Sequence, residues 1–439
     1  MLTRFPRLLA IAVLAVLATA FPAAAHHAAG DENAAAAAAA SAVGAAEVTL
    51  TGTVDELVVV DKVNNATKRY PILRQSDGKR FALRGDAVQG IAAGAQVGVT
   101  GSQTGTMFTV NRVDAMKPGT KTAALSTSQV SGKFMVAHAD NFDTGDSQFF
   151  YNVFDDQGSS TDVAMPFLPG ALATGMQVVV EGTSVAGGTG IVPNLITIQA
   201  IPEVPLASAA NYLVIPIKFP ISGAGTVASP WVYNADPFTP ATLNTAVFGT
   251  LPTKSAAEFY KEASFGQQTL SGVTAKTGSG GFLVADVATP PCTNYQAIGT
   301  AAENAAVKAG YVLANYTGIL YVFNGVPSCG WAGLAYVGWA RAWANNTSAL
   351  WVIGHELGHN FGLLHAGSLN CAGTVIGCGA AGSVAEYGDP FNTMGNIIMF
   401  GAGYYSVTEQ LKSSMILGAI SWVLWIITAL TWWRVIGLL

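Results

Sequence analysis

Two stretches in the first half of the chain carry short apolar runs broken by polar turn residues, the pattern of antiparallel strands and hairpins. Thr53–Val60 and Phe149–Phe154 are examples, rich in β-branched and aromatic residues and set off by Gly, Asn and Asp. The two stretches resemble each other. Leu50-Thr-Gly-Thr-Val and Gly94-Ala-Gln-Val-Gly-Val-Thr-Gly101 in the first correspond to Val130-Ser-Gly-Lys-Phe and Gly175-Met-Gln-Val-Val-Val-Glu-Gly182 in the second. The G-x-Q-V-x-V-x-G elements lie 81 residues apart. This spacing predicts two tandem small all-β barrels, OB-like, over residues 47–121 and 127–204. Such modules often bind oligomers; the plainer expectation is a spacer or a chaperoning pro-region. Asp140, Asp143 and Asp146 surround a turn in the second stretch. A calcium loop would use such carboxylates, but they match no EF-hand spacing, and a polar hairpin is the expectation.

From about Ala207 the rhythm changes to strands alternating with helices, as in an α+β domain extending to Lys412. Leu213–Phe219 and Ile319–Phe323 read as buried strands, and Ala256–Ala263 as a helix. Thr293-Asn-Tyr-Gln296 reads as a capping box, followed by a helical face of Ile298, Ala302, Ala305, Ala309 and Val312.

The ends differ from this pattern. Residues 1–25 carry Arg4 and Arg7, the apolar run Leu8–Leu17 and a small-residue site at Ala23-Ala24-Ala25, the layout of a secretory signal peptide. An alanine-rich linker, 26–46, follows; His26 and His27 there read as solvated. The tail 413–439 contains Ser413–Trp433, 21 residues without a charge, bracketed by Lys412 and Arg434. As a helix it would span roughly 30 Å, so it reads either as a membrane anchor or as a buried terminal helix. Only 11% of the 439 residues are charged and the net charge is −5. With no basic run, nucleic acid is excluded as a partner. The four cysteines, Cys292, Cys329, Cys371 and Cys378, have no C-x-x-C spacing, and an exported chain would let them pair. Three connectivities exist, of which Cys371–Cys378 with Cys292–Cys329 is expected.

One stretch carries chemistry: His355-Glu356-Leu357-Gly358-His359-Asn360-Phe361-Gly362-Leu363-Leu364-His365. Residues four apart share a helix face, so His355 and His359 point two imidazoles at one place. Gly362 permits positive φ and lets the chain leave the helix, bringing His365 in as a third ligand. Three neutral imidazoles suit one catalytic Zn²⁺, with the fourth position open for water. Glu356, beside the first ligand, reaches that water without ligating the metal. Calcium finds no further support.

With these residues the sequence resembles the metzincin clan of zinc endopeptidases. A methionine turn, their second hallmark, is supplied by Glu386-Tyr-Gly-Asp-Pro-Phe-Asn-Thr-Met394-Gly395. The E-Y-G-D…M-G form, Ala366 directly after the third histidine, Ser264-Phe-Gly and Cys329-Gly-Trp-Ala-Gly-Leu-Ala make the chain most similar to gametolysin-type peptidases. That resemblance covers about Ala207–Lys412. It implies a zincin/metzincin-like catalytic fold, His355, His359 and His365 as zinc ligands, Glu356 as general base, and Met394 and Gly395 as a structural floor. No tyrosine follows Met394 within two residues, so the tyrosine ligand of some metzincins is not evident. The N-terminal modules contain no cysteine, so a thiol switch cannot operate through them.

The expected function is an exported zinc endopeptidase, with an extended protein or peptide substrate pairing along an exposed edge strand such as Trp331–Val337. A surface-adhesion protein using the β-barrels, or a zinc hydrolase acting on cell-wall glycoprotein or glycan, are the alternatives. Membrane association would run through the tail alone.

Overall fold

The computed structural model describes residues 47–395 apart from 118–126, 202–208, 277–280, 371–382 and scattered positions of one or two residues. The signal-peptide, linker and tail assignments therefore lie outside the described residues. Among the described residues no helix is long and apolar enough to cross a membrane.

The first repeat forms strands β1 (Val48–Asp61), β2 (Ala66–Arg74), β3 (Arg80–Arg84), β4 (Gln96–Thr104) and β5 (Met107–Lys117). Their pairings run β1–β2–β3–β5–β4 and return from β4 to β1. Alternate residues of β1, among them Leu57 and Val59, face inward, the period that one buried face dictates. The second repeat gives β6 (Thr127–Asn141), β7 (Asp146–Phe154), β8 (Ser160–Asp162), β9 (Gln177–Ser184) and β10 (Ile191–Ala200). It follows the same order: β7 pairs with β6 and β8, β6 with β9, and β9 with β10, while Val163, just past β8, bridges Ile191 in β10 in parallel.

The repeated G-x-Q-V-x-V-x-G element has one role in both. Its first glycine, Gly94 or Gly175, takes positive φ (85° and 90°) and the strand starts at the glutamine. A Cβ on its last glycine, Gly101 or Gly182, would strike the carbonyl of Thr109 or Val192 on the adjacent strand. The repeats do not stand apart as two isolated modules. The end of β1 pairs in parallel with β10, Val58 opposite Leu195, and Leu57, Val59 and Ile72 share a core with Phe134, Val178 and Ile196.

Next come β11 (Ala209–Lys218), α1 (Pro240–Phe248), α2 (Ala256–Ala263), β12 (Thr269–Thr274), β13 (Leu283–Val284), α3 (Tyr295–Lys308), β14 (Gly318–Phe323), β15 (Gly333–Tyr336), β16 (Arg341–Asn345) and α4 (Leu350–Asn360). Two short strands, β17 (Ser368–Asn370) and β18 (Ser383–Ala385), form a small ribbon. Strands β12, β11, β14 and β16 are parallel neighbours, with β15 antiparallel on β16. Helices cover both faces, so β14 is buried along its whole length. Leu213, Ile215, Ile319 and Tyr321 pack on one side with Ile298 and Ala302 of α3. Tyr212, Val214, Leu320 and Val322 pack on the other with α1, α2 and α4.

Two expectations need correction here. Helix α3 is capped by Asn294, whose side chain accepts from the Ala297 N–H, while Thr293 of the expected capping box lies outside the described residues; the helix stops at Lys308, leaving Val312 exposed. More consequentially, Trp331–Val337 is not an exposed edge. β15 within it is covered by β6 of the second repeat, Gly333 opposite Asp140 and Tyr336 opposite Ala137, which makes one continuous 16-stranded sheet.

Candidate metal centre

Helix α4 is buried over its last nine residues, and it carries two glycines that ordinarily weaken a helix by about 1 kcal/mol each. Gly358 is explained by close approach: a Cβ there would strike the Met394 sulfur. His355, Glu356 and His359 are wholly buried on this helix. The helix ends as the motif predicts. Gly362 has φ 89°, its N–H donates to the His359 carbonyl (2.8 Å), and the Leu363 N–H donates to the Gly358 carbonyl (3.0 Å). The reversal brings His365 back to the helix. The three ring centroids are 4.9, 5.0 and 5.1 Å apart.

Each of the two later rings is oriented by its other nitrogen. His359 Nδ1–H donates to the Leu363 carbonyl at 2.8 Å, and His365 Nδ1 is 2.7 Å from Glu386 Oε1. Such partners orient the rings so that Nε2 faces the cluster. Ser147 Oγ, on β7, donates to the same Glu386 oxygen (2.9 Å). Beneath them Met394 is 3% exposed. Its turn is stitched to the third histidine: the Ala366 N–H donates to the Met394 carbonyl (2.7 Å) and the Asp389 N–H to the Ala366 carbonyl (3.1 Å). A Cβ on Gly395 would overlap the Asp389 carbonyl. Gly333 on β15 is required in the same way, since a Cβ would overlap the Glu356 carboxyl group.

The sequence reading missed Asp140, His138, Phe142 and Tyr387. Asp140 belongs neither to a calcium loop nor to the hairpin turn, which closes one residue later with Asn141 opposite Asp146. It is fully buried with Oδ2 3.3 Å from His359 Nε2 and 3.7 Å from His355 Nε2, and Oδ1 2.8 Å from His365 Nε2. The Tyr387 hydroxyl donates to its Oδ1, and the Tyr387 ring lies 3.9 Å from that of His365. His138, two residues earlier on the same strand face, stacks between Phe149 (3.9 Å) and His365 (4.1 Å). The Phe142 ring stands edge-on to those of His355 and Trp351, each at 5.0 Å. Strand alternation marks His138 and Asp140 as facing one way, but does not say what lies opposite.

Burial dominates the electrostatics. It raises Glu356 well above the usual carboxylate range, helped by the charge of Asp140, and neither Glu356 oxygen makes a hydrogen bond. Burial would raise Asp140 too, but the neighbouring histidines outweigh it and hold that carboxyl ionised. Burial keeps His138 neutral. In His365 the contacts with Asp140 and Glu386 outweigh burial and raise the pKa. His138, Asp140, His359 and His365 form one group whose ligand atoms lie within 4.8 Å of one another, and Asp140, His355 and Glu356 form a second. Imidazole nitrogens aimed at an ionised carboxylate in a dry interior suit a first-row divalent cation, so the cluster can hold a metal ion. Cys292 and Cys329 are joined, with Cα atoms 4.8 Å apart. Cys371 and Cys378 lie outside the described residues.

Compared with known proteins, residues 232–396 match the family model of gametolysin peptidase M11. The match spans α1 through the methionine turn and includes all three motif histidines and Glu356. No curated protein matches the chain.

Proposed function

Because residues 232–396 carry a gametolysin-type peptidase segment, we propose that this chain is an exported zinc endopeptidase of the metzincin kind. The convergence of three imidazoles on one buried point beside an unpaired carboxyl group carries the reading. The substrates of a peptidase are proteins or peptides. His355, His359 and His365 would hold the zinc, which when bound polarises the scissile carbonyl and makes water nucleophilic near neutral pH. Glu356 takes the proton of the attacking water and passes it to the leaving amine. Its burial suits the accepting half of that task, since a carboxylate with a raised pKa is a stronger base than an exposed one. Met394 and Gly395 keep the floor under the helix. Export is supported by the signal-like pattern of residues 1–25, and the repeated cycle of strand pairings supports the OB-like reading of residues 47–121 and 127–204.

Purified protein is expected to hold about one zinc ion per chain and His359→Ala to lose most of it, measured by elemental analysis. Glu356→Gln is expected to keep the zinc and to lower cleavage of a denatured protein by about 10²–10⁴-fold. Full zinc occupancy after alanine replaces all three histidines, or unchanged cleavage in Glu356→Gln, would overturn the assignment.

A further inference from the structure

Asp140 is placed by the backbone. Strand β6 lies antiparallel on β15, the Ala332 N–H donates to the Asp140 carbonyl (2.9 Å), and the Val337 N–H donates to the Val136 carbonyl (2.9 Å). The side chain then has one direction to go, into the three imidazoles. Asp140 Oδ2 makes no hydrogen bond there. The Nε2 atoms of His359 and His365 lie 3.3 and 2.8 Å from the carboxylate oxygens, and both are buried without a hydrogen-bond partner. Buried polar atoms gathered this closely without hydrogen bonds are costly, and a cation held among them would satisfy them together. Asp140 is also the one residue common to both ligand groups among the described residues.

The rest of the strand fits the same role. Ala137–Asp140 takes the hydrogen-bonding edge that an extended peptide would use, and Phe142 presses an aromatic side chain against His355 and Trp351. We propose that Asp140 is the fourth ligand of the metal centre, in the position water needs, and that β6 thereby holds the peptidase site shut from within its own chain. The inference rests on the metallopeptidase reading above. It assigns to the second repeat the latency that a cysteine cannot provide there, with a carboxylate as the blocking ligand.

Cobalt substitution of the full-length protein tests this without relying on activity. The visible absorption bands of Co²⁺ are expected to differ between wild type and Asp140→Ala. Acetohydroxamate, a small metal-binding probe, should perturb the bands of Asp140→Ala but not those of wild type at the same concentration. Cleavage of a denatured protein should rise about tenfold or more in Asp140→Ala, as the open fraction grows, and the gain should vanish when Glu356→Gln is added. Asp140→Asn, similar in shape, guards against misfolding: its circular dichroism should match wild type while its cobalt spectrum follows Asp140→Ala. Identical spectra and equal hydroxamate responses in all three proteins would overturn the inference. So would loss of both cobalt and cleavage in both folded variants, which would make Asp140 a ligand of the working centre. Cobalt binding that survives alanine at all three histidines overturns the metallopeptidase reading as well, whereas a histidine-dependent centre indifferent to Asp140 overturns only the inference.

Discussion

Glu386 shows how much of the centre depends on a residue outside its ligand groups. Half-exposed, it accepts from His365 Nδ1 and Ser147 Oγ on one oxygen. His365 is the one motif histidine carried by a loop rather than by α4, so its ring has no helix to fix it. Glu386→Ala is expected to weaken zinc binding by about 10–100-fold, read by competition with a chromophoric chelator, while the helix content stays unchanged. The histidines themselves were legible in the sequence, because helical spacing and one turn-forming glycine dictate how they meet. Asp140 was not. A carboxylate beside a hairpin ordinarily signals a solvated turn, and a strand's alternation gives its facing direction without naming the surface it meets. Glu386 and Tyr387 were legible only as part of a shared motif, with no role attached.

At the scale of elements, Cys292 and Cys329 tie together two segments that serve the site indirectly. Cys292 sits just before the Asn294 cap of α3, and Cys329 leads through Trp331 into β15. Replacing both cysteines with alanine is expected to cost about 2–4 kcal/mol of stability. Calorimetry would show this as a lowered melting temperature, with the metal still bound at room temperature because neither cysteine belongs to the ligand groups. The repeat was legible at this scale, and so were β11, β14 and α2, where apolar runs and turn residues agree with the tertiary packing. The start of α3 was displaced by one residue because Thr293 and Asn294 both qualify as caps. The covering of β15 was invisible. An edge strand reads the same whether its partner is solvent, a substrate or a distant part of the same chain.

At the scale of the whole molecule, the sheet is continuous from the first repeat to β12, and β6 is its joint. Met135, Ala137 and Ala139 on β6 pack into the same core as Leu213, Tyr321 and Trp343. A chain beginning at residue 207 would therefore expose both the β15 edge and this apolar surface. It is expected to be recovered mostly as aggregate, and co-production of residues 47–204 should return it to a soluble, co-eluting complex in size-exclusion chromatography. A chain beginning at residue 207 that stays soluble and monodisperse alone would show that the joint is dispensable. The strand on β15 has a further consequence, because its tether makes it a competitor that cannot be diluted away. A segment held in the same chain acts at an effective concentration of about millimolar. A free peptide that met the bare edge with micromolar affinity would be outcompeted by it at ordinary concentrations. Where the strand leaves the edge free in about one molecule in a hundred, apparent affinity for any peptide falls about a hundredfold. Turnover at a given peptide concentration would then report how often β6 lifts, more than how well the peptide fits.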